Sequence, residues 1–238
     1  MRSSVIVVDD FYADPVAVRN YALAQSWYYP YQRDKEVASG QARVTWMTTS
    51  FREAGNCPFK SSKALITTLE ALIGEQIDLH HWRLGFPITE EGKPDLLYTK
   101  SPRSCLWNCS FHFKSSHGQL LGQGVHNHVT DTWNRVGKDG WAGIIYLSQG
   151  GPLSGGLKLW RHHDASRQLE WMTPKENWEL IDDLGHIFNR LLLCRGDMPH
   201  SGADGWGSTP ADGRLFQTFF FRVKPQPARP GAQILGET

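Results

Sequence analysis

The sequence predicts an α+β chain that is mainly β, with helices flanking a β-sandwich or barrel core. Three observations carry that prediction. From residue 80 onward, short runs of alternating or β-branched apolar residues recur between turns: "CLWNCSFHF", "GQGVHNHV", "WAGIIYLS", "GGLKLWRH", "NRLLLCRG" and "RLFQTFFFRV". Such runs, punctuated by glycine, suit the short strands of a closed or two-layered sheet. Helical spacing of apolar residues is instead concentrated before residue 80. No internal repeat and no linker divides the 238 residues. One domain is therefore expected, with a helical N-terminal layer over 1–79, a β-core over 80–225 and a flexible tail over 226–238.

The elements follow in order. "SVIVV" is β-branched and suits a strand. Asp14 then caps a helix that carries Pro15 in its first turn, with Val16, Val18, Tyr21 and Ala22 as its apolar stripe. Residues 28–60, rich in Tyr, Gly, Thr and Asn, read as loop with short strands. "SSKALITTLEALIGEQI" sets Ala64, Leu65, Leu69, Leu72 and Ile73 at helical spacing behind Ser61 or Ser62 as cap. A third helix is predicted over roughly 174–187, "PKENWELIDDLGHI", interrupting the strands. Gly155–Gly156 mark a tight turn between strands. The Pro- and Gly-rich "KPQPARPGAQILGET" is expected to fray.

Composition narrows the functional classes. A hydrophobic content of 40%, with ten Trp, eleven Phe and seven Tyr, is ample for a packed interior. The formal net charge is +1 and the two signs are interleaved, which gives no support to a nucleic-acid or anionic-membrane surface. Cys57, Cys105, Cys109 and Cys194 form no CxxC pair and no regular framework. They are expected to be reduced, partly buried thiols. Asp9 and Asp10 interrupt the only N-terminal apolar run, and no stretch approaches the roughly 20 apolar residues of a membrane span. The expectation is a soluble, cytoplasmic protein with no membrane and no nucleic-acid partner.

The segment with chemistry in it is "QGVHNHVTDTW". Alternate residues of a strand point to one face, so His126 and His128 project together and can share one ion. A lone histidine is more often a core or surface residue than a ligand; a pair at this spacing is not so easily dismissed. "LLCRGDMPHSG" supplies His200 after a strand, and Arg214 opens the strand "RLFQTFFF" fourteen residues later. A metal on two histidines and one further group, with open positions, is how non-haem Fe(II) oxygenases take up a co-substrate and O2. A permanently charged arginine able to grip a carboxylate with two parallel hydrogen bonds suits a dicarboxylate co-substrate.

With these residues in hand, the chain resembles the Fe(II)/2-oxoglutarate-dependent oxygenases of the double-stranded β-helix, or jelly-roll, fold. The resemblance runs through "VIVVDDFYADPVAVRNYAL", "GVHNHVTDTWNRVGKDGWAGIIYLS", "GGLKLWRH", "GDMPHSG" and "GRLFQTFFF". It implies a jelly-roll core covered by N-terminal helices, with Fe(II) and 2-oxoglutarate as cofactors. It also implies His200 as the distal metal ligand and Arg214 as the partner of the co-substrate's far carboxylate. The family pattern opens with His-X-Asp, and here the chain departs from it. If His126 leads, His128 occupies the carboxylate position; if His128 leads, Thr130 does, and Asp131 stands one residue too far along. Three arrangements stay open: His128, Asp131 and His200; His126, His128 and His200; or two histidines with a position left for water or halide, as in radical halogenases. Asp131 also reads as a helix cap or turn residue, and Arg214 as a strand-end arginine.

Other candidates are Asn108 and Tyr146, polar residues on apolar strands placed to contact the co-substrate, and Arg161, placed to bind an anionic substrate. Asn108 and Tyr146 fit an ordinary core network as well. Trp141 and Trp160 read as packing residues, and His112, His117, His162 and His163 as surface or turn histidines. The resemblance implies use of 2-oxoglutarate and O2 to oxidise, most simply to hydroxylate, an unactivated C–H of a small molecule such as an amino acid or natural-product intermediate. Halogenation, desaturation and cyclisation are other outcomes of the same chemistry. A non-catalytic metal-binding jelly roll is a reading from another class. So is a metal-dependent hydrolase, since "HNHVTD" resembles the HxHxDH run of metallo-β-lactamase-like enzymes. That match fails at its sharpest point, because Asp131 is displaced by one residue and Thr132 stands where a histidine is required.

Overall fold

Every named strand of the chain pairs antiparallel, in two sheets. The computed structural model describes residues 4–27, 46–48, 58–83, 107–115, 124–130, 134–167 and 175–225. The strands are β1 (Val5–Val8), β2 (Trp46–Thr48), β3 (Phe111–Lys114), β4 (Trp141–Tyr146), β5 (Leu157–His162), β6 (Trp178–Leu184), β7 (Leu191–Arg195), β8 (His200–Gly202) and β9 (Arg214–Phe221). The larger sheet runs β1-β7-β4-β9-β3-β2 and the smaller β6-β5-β8. The helices are α1 (Pro15–Leu23), α2 (Pro58–Ser61), α3 (Lys63–Ile73) and α4 (Leu79–Arg83).

Local signals fix the two longer helices. The Asp14 carboxylate accepts from the Ala17 N–H at 2.9 Å behind Pro15, satisfying a donor the first turn leaves open. Ser62 does the same for Leu65 at 3.2 Å, and Gly74 ends α3 in the left-handed region at φ 68°.

The larger sheet is the middle layer, buried on both faces. On one face Trp141, Ile145, Leu191, Leu193, Phe219 and Phe221 pack against Leu65, Leu69, Ile73 and Trp82 of the helices. On the other, Ile144, Tyr146, Leu192 and Phe216 meet Leu157 and Leu159 of the smaller sheet. Period-2 alternation explains the division: odd-numbered residues of β4, β7 and β9 face the helices, and even-numbered ones face the interior of the roll. Each such fully buried side chain stabilises the fold by about 1.5–3 kcal/mol. Two facing antiparallel sheets with helices outside one of them make the jelly-roll, double-stranded β-helix architecture.

One expectation changes. The predicted helix over 174–187 is the strand β6, whose apolar residues had suggested a helical period. Pairing with β5 overrides that local pattern, and a bulge at Leu159/Trp160 shifts the register along it. The strands expected at "SVIVV" and within 28–60 are present as β1 and β2, and they join the larger sheet beside β7 and β3. The tail over 226–238 lies outside the described residues.

Candidate metal centre

β8 begins at His200, and a short antiparallel bridge sets His126 directly opposite it. The two residues exchange backbone hydrogen bonds, His126 N–H to the His200 carbonyl at 3.0 Å and His200 N–H to the His126 carbonyl at 2.8 Å. Directly opposed residues send their side chains to the same face. His128, two residues on, is held by its N–H to the Gly196 carbonyl at 2.6 Å. The three rings converge, with centroids 4.6 Å apart for His126 and His200, 5.0 Å for His128 and His200, and 5.3 Å for His126 and His128. One nitrogen from each ring lies within 4.8 Å of the others.

The tautomers follow from the backbone. His200 Nδ1 faces the Met198 carbonyl at 2.9 Å and His126 Nδ1 the Gly124 carbonyl at 3.2 Å. A nitrogen facing a carbonyl carries the proton, so each of these two rings presents its Nε2 lone pair, as a metal-binding histidine does when its other nitrogen is held by a carbonyl. Burial, together with the two neighbouring imidazoles, holds His200 well below the ordinary histidine range, which keeps that lone pair uncharged. His128 is flanked on its outer side by Phe220, ring centroids 4.9 Å apart. Three imidazoles converging in this way suit a divalent transition metal.

The second half of the site lies two residues along β8. The Arg214 guanidinium is 2% exposed, and its Nε and Nη2 donate to the carbonyls of Gly155 and Gly156 at 2.9 and 3.4 Å. Among the described residues no carboxylate forms an ion pair with it; Asp204 acts on it only at longer range. A buried cation without a paired anion is costly, and an anionic ligand is what relieves it. The Tyr146 hydroxyl is buried beside it, with no hydrogen-bond partner of standard geometry among the described residues. Burial pushes that phenol up, against the pull of the guanidinium, so it stays a donor. Phe216 lies under the guanidinium, its ring centroid 4.7 Å from Cζ. An anion with a free carboxylate fits this end of the roll.

The remaining sequence candidates fall elsewhere. Asp131 lies outside the described residues, as does His117. Asn108 is corrected: Nδ2 donates to the Trp82 carbonyl and Oδ1 accepts from the Phe220 N–H, so its amide ties β9 to α4 at the end away from Arg214. The Arg161 side chain is 63% exposed and lies 3.8 Å from Glu179 of β6. His163 is exposed as expected, whereas His112 and His162 are buried. His112 lies inside the sheet, bonded to Thr218 Oγ1 at 2.9 Å and stacked on Phe216. Trp141 packs against the helices. Cys109 and Cys194 are buried, with Cys194 Sγ 3.8 Å from His200 Nδ1. Sequence reasoning missed the use made of Gly155–Gly156: their carbonyls hold Arg214, and a Cβ on Gly155 would run into the Trp206 indole.

No family model matches the chain, and no curated protein does. Solved structures do. One is the non-heme alpha ketoglutarate dependent epimerase SnoN from nogalamycin biosynthesis, 11% identical, with a TM-score of 0.51 over 91% of this chain and 76% of that one. Another is HygX from Streptomyces hygroscopicus, solved with nickel and 2-oxoglutarate, 8% identical, with a TM-score of 0.50 over 92% of this chain and 83% of that one. Identities this low speak for the fold alone: the chain has the double-stranded β-helix fold of the Fe(II)/2-oxoglutarate-dependent oxygenases.

Proposed function

We propose that the chain is an Fe(II)/2-oxoglutarate-dependent oxygenase that hydroxylates an unactivated C–H of a small molecule. In this reading the iron is held by His126, His128 and His200. The observation that carries it is the placement of three converging imidazoles and one buried, carboxylate-free guanidinium on the same inner face of the roll. The two are joined by β8, where Gly202, two residues after His200, lies against Arg214. Two residues of extended strand span about 6.6 Å between Cα atoms, a spacing comparable with the length of a five-carbon diacid.

The fold of SnoN and HygX supports the same reading, because one is described as alpha ketoglutarate dependent and the other was solved with nickel and 2-oxoglutarate. Iron and 2-oxoglutarate, when bound, would supply electrons that activate O2, which alone reacts too slowly with an unactivated C–H bond. The chain's own residues bind and orient. His126 and His200 present Nε2 because backbone carbonyls hold Nδ1. Arg214 pairs with the far carboxylate, and Tyr146 donates to it. Phe216, Phe220 and the apolar faces of β4 and β7 keep water out, which strengthens each of these contacts.

The test is an anaerobic titration of the metal-free protein with Fe(II) and 2-oxoglutarate. A weak visible charge-transfer band with one-to-one stoichiometry is expected, and admission of O2 should yield succinate. Tight zinc binding with no such band, and no consumption of 2-oxoglutarate, would overturn the proposal in favour of a hydrolase or a non-catalytic barrel.

A further inference from the structure

Beside Arg214 and Tyr146 a further buried polar group has an atom without a hydrogen-bond partner among the described residues. His186 follows β6 in the turn to β7 and is 4% exposed. Its Nε2 is buried with no hydrogen-bond partner among the described residues. The ring lies against Tyr146, centroids 4.7 Å apart, and meets the Trp206 indole edge-on at 4.9 Å. An imidazole nitrogen buried and unpaired costs stability in the ligand-free protein, as does the neighbouring phenol. Two such orphans beside one carboxylate-free guanidinium share a single remedy, an oxygen-rich anion that accepts from all three.

The turn that carries His186 is built rigidly. Its own N–H donates to the Leu153 carbonyl at 2.9 Å, and Arg190 braces the preceding Gly185 carbonyl at 3.3 Å. Arg190 is itself locked by a two-pronged pair with Asp9, at 2.5 and 2.9 Å. These contacts tie the turn to the segment before β5 and to Asp9 after β1. Burial, with the Arg214 charge nearby, lowers His186 to about 4, so at neutral pH the ring is uncharged and owns one N–H. An approaching carboxylate selects the tautomer that carries this proton on Nε2, because only a donor can face an anion.

We propose that His186 is a third recognition group for the distal carboxylate of the co-substrate, acting with Arg214 and Tyr146 to select a diacid over the matching monoacid. The inference rests on the proposed function and deepens it at one residue. No sequence motif marked His186, and its role follows from the turn that places it.

The experiment separates this contact from a packing role. Nickel-loaded protein, which binds without turning over, is titrated calorimetrically with 2-oxoglutarate and with 2-oxopentanoate, the same keto acid lacking the far carboxylate. His186→Phe keeps the ring between Tyr146 and Trp206 and removes the nitrogen. A hydrogen bond to a charged group is worth enough that 2-oxoglutarate should weaken about tenfold or more. 2-Oxopentanoate should be unchanged, so the preference for the diacid falls by the same factor. His186→Gln, which restores an N–H donor, should recover most of it. If His186→Phe does not fold, His186→Leu supplies the same comparison. Equal weakening of both ligands, or of neither, overturns the inference while leaving the oxygenase reading intact. A wild-type protein that prefers neither ligand overturns both.

Discussion

Gly202 lies directly against Arg214: a Cβ at that position would stand 3.8 Å from Nη2 and 3.9 Å from Nη1. Because Gly202 is two residues from His200 on β8, one short strand sets both the metal end and the anion end of the site. Residues two apart share a face, so whatever side chain stands at 202 points where the co-substrate's far end is expected.

Gly202→Ala and Gly202→Val should therefore separate folding from binding. A methyl at 3.8 Å makes ordinary contact, and the backbone there does not require a left-handed conformation. Gly202→Ala should keep its thermal midpoint within a few degrees. The added branches of Gly202→Val crowd the guanidinium, and overpacking of this kind costs about 1–3 kcal/mol. Part of that cost is relieved when the co-substrate is absent, so 2-oxoglutarate should bind about tenfold more weakly. Calorimetry on the nickel-loaded variants checks both; equal affinity in Gly202→Val would remove β8 as the link.

The ligand set makes a sharper prediction. His126→Ala, His128→Ala and His200→Ala should each lose stoichiometric iron binding, read by equilibrium dialysis with metal analysis. Asp131→Asn should retain it, because three imidazoles already converge within 4.8 Å. Retention of full iron binding by His126→Ala together with its loss in Asp131→Asn would establish the two-histidine, one-carboxylate arrangement instead.

How much of this was legible in the sequence depended on range. The HNH pair, Arg214 and the caps at Asp14 and Ser62 are local patterns, with spacing and residue type adjacent in the chain. The centre itself is not local, since His126 meets His200 across a bridge that no periodicity announces. β6 was misread because Trp178, Ile181 and Leu184 recur at three-residue steps, while its partner β5 lies outside any local window. Asn108 stands out in the sequence as a polar residue on an apolar run, and Arg161 as a charge at a strand end that could face the mouth. One is consumed by backbone groups and the other faces water, distinctions that only packing makes. His112 and His186 were invisible for the converse reason: a histidine is as common on a surface as inside, and nothing near either in sequence records its burial.

Two buried histidines, His112 of β3 and His81 of α4, make stability depend on pH in acid. Burial lowers His112 to about 3, and burial aided by the Arg222 charge lowers His81 to about 4, against 6.5 for the unhindered ring. Below pH 6.5 the unfolded chain takes up protons that the folded chain refuses, so acid favours unfolding. Their contribution is fully present above pH 6.5 and is lost as pH falls toward 4 for His81 and 3 for His112. Each costs about 1.4 kcal/mol per pH unit within its window. Urea denaturation at pH 7, 6 and 5 should show that slope. His112→Gln, which keeps a donor toward Thr218, should flatten it by about one proton, and an unchanged slope would show that His112 titrates normally.

The last prediction concerns the support beneath the centre. Glu75, just beyond α3, pairs with Arg195 at 2.7 Å, with both side chains nearly buried. Arg195 stacks on Trp141, Cζ 4.1 Å from the ring centroid, and donates to the Asp139 carbonyl at 2.9 Å. Arg195 is the last residue of β7, and the next residue, Gly196, is the one whose carbonyl holds the His128 N–H. The pair thus anchors the start of the turn that ends at His200. Removing one member of a buried ion pair leaves the other charge uncompensated and costs about 3–5 kcal/mol. Glu75→Ala should therefore lower stability by that amount in urea denaturation. It should also weaken metal binding, because the turn fixing His128 and His200 loses its anchor. Replacing both partners, Glu75→Leu with Arg195→Met, removes the stranded charge and should recover most of the stability. It should not recover the metal affinity, because the anchor to α3 is still missing. Full recovery of metal binding in the double variant would show that the ion pair serves the fold alone and leaves the positioning of the imidazoles to the sheet.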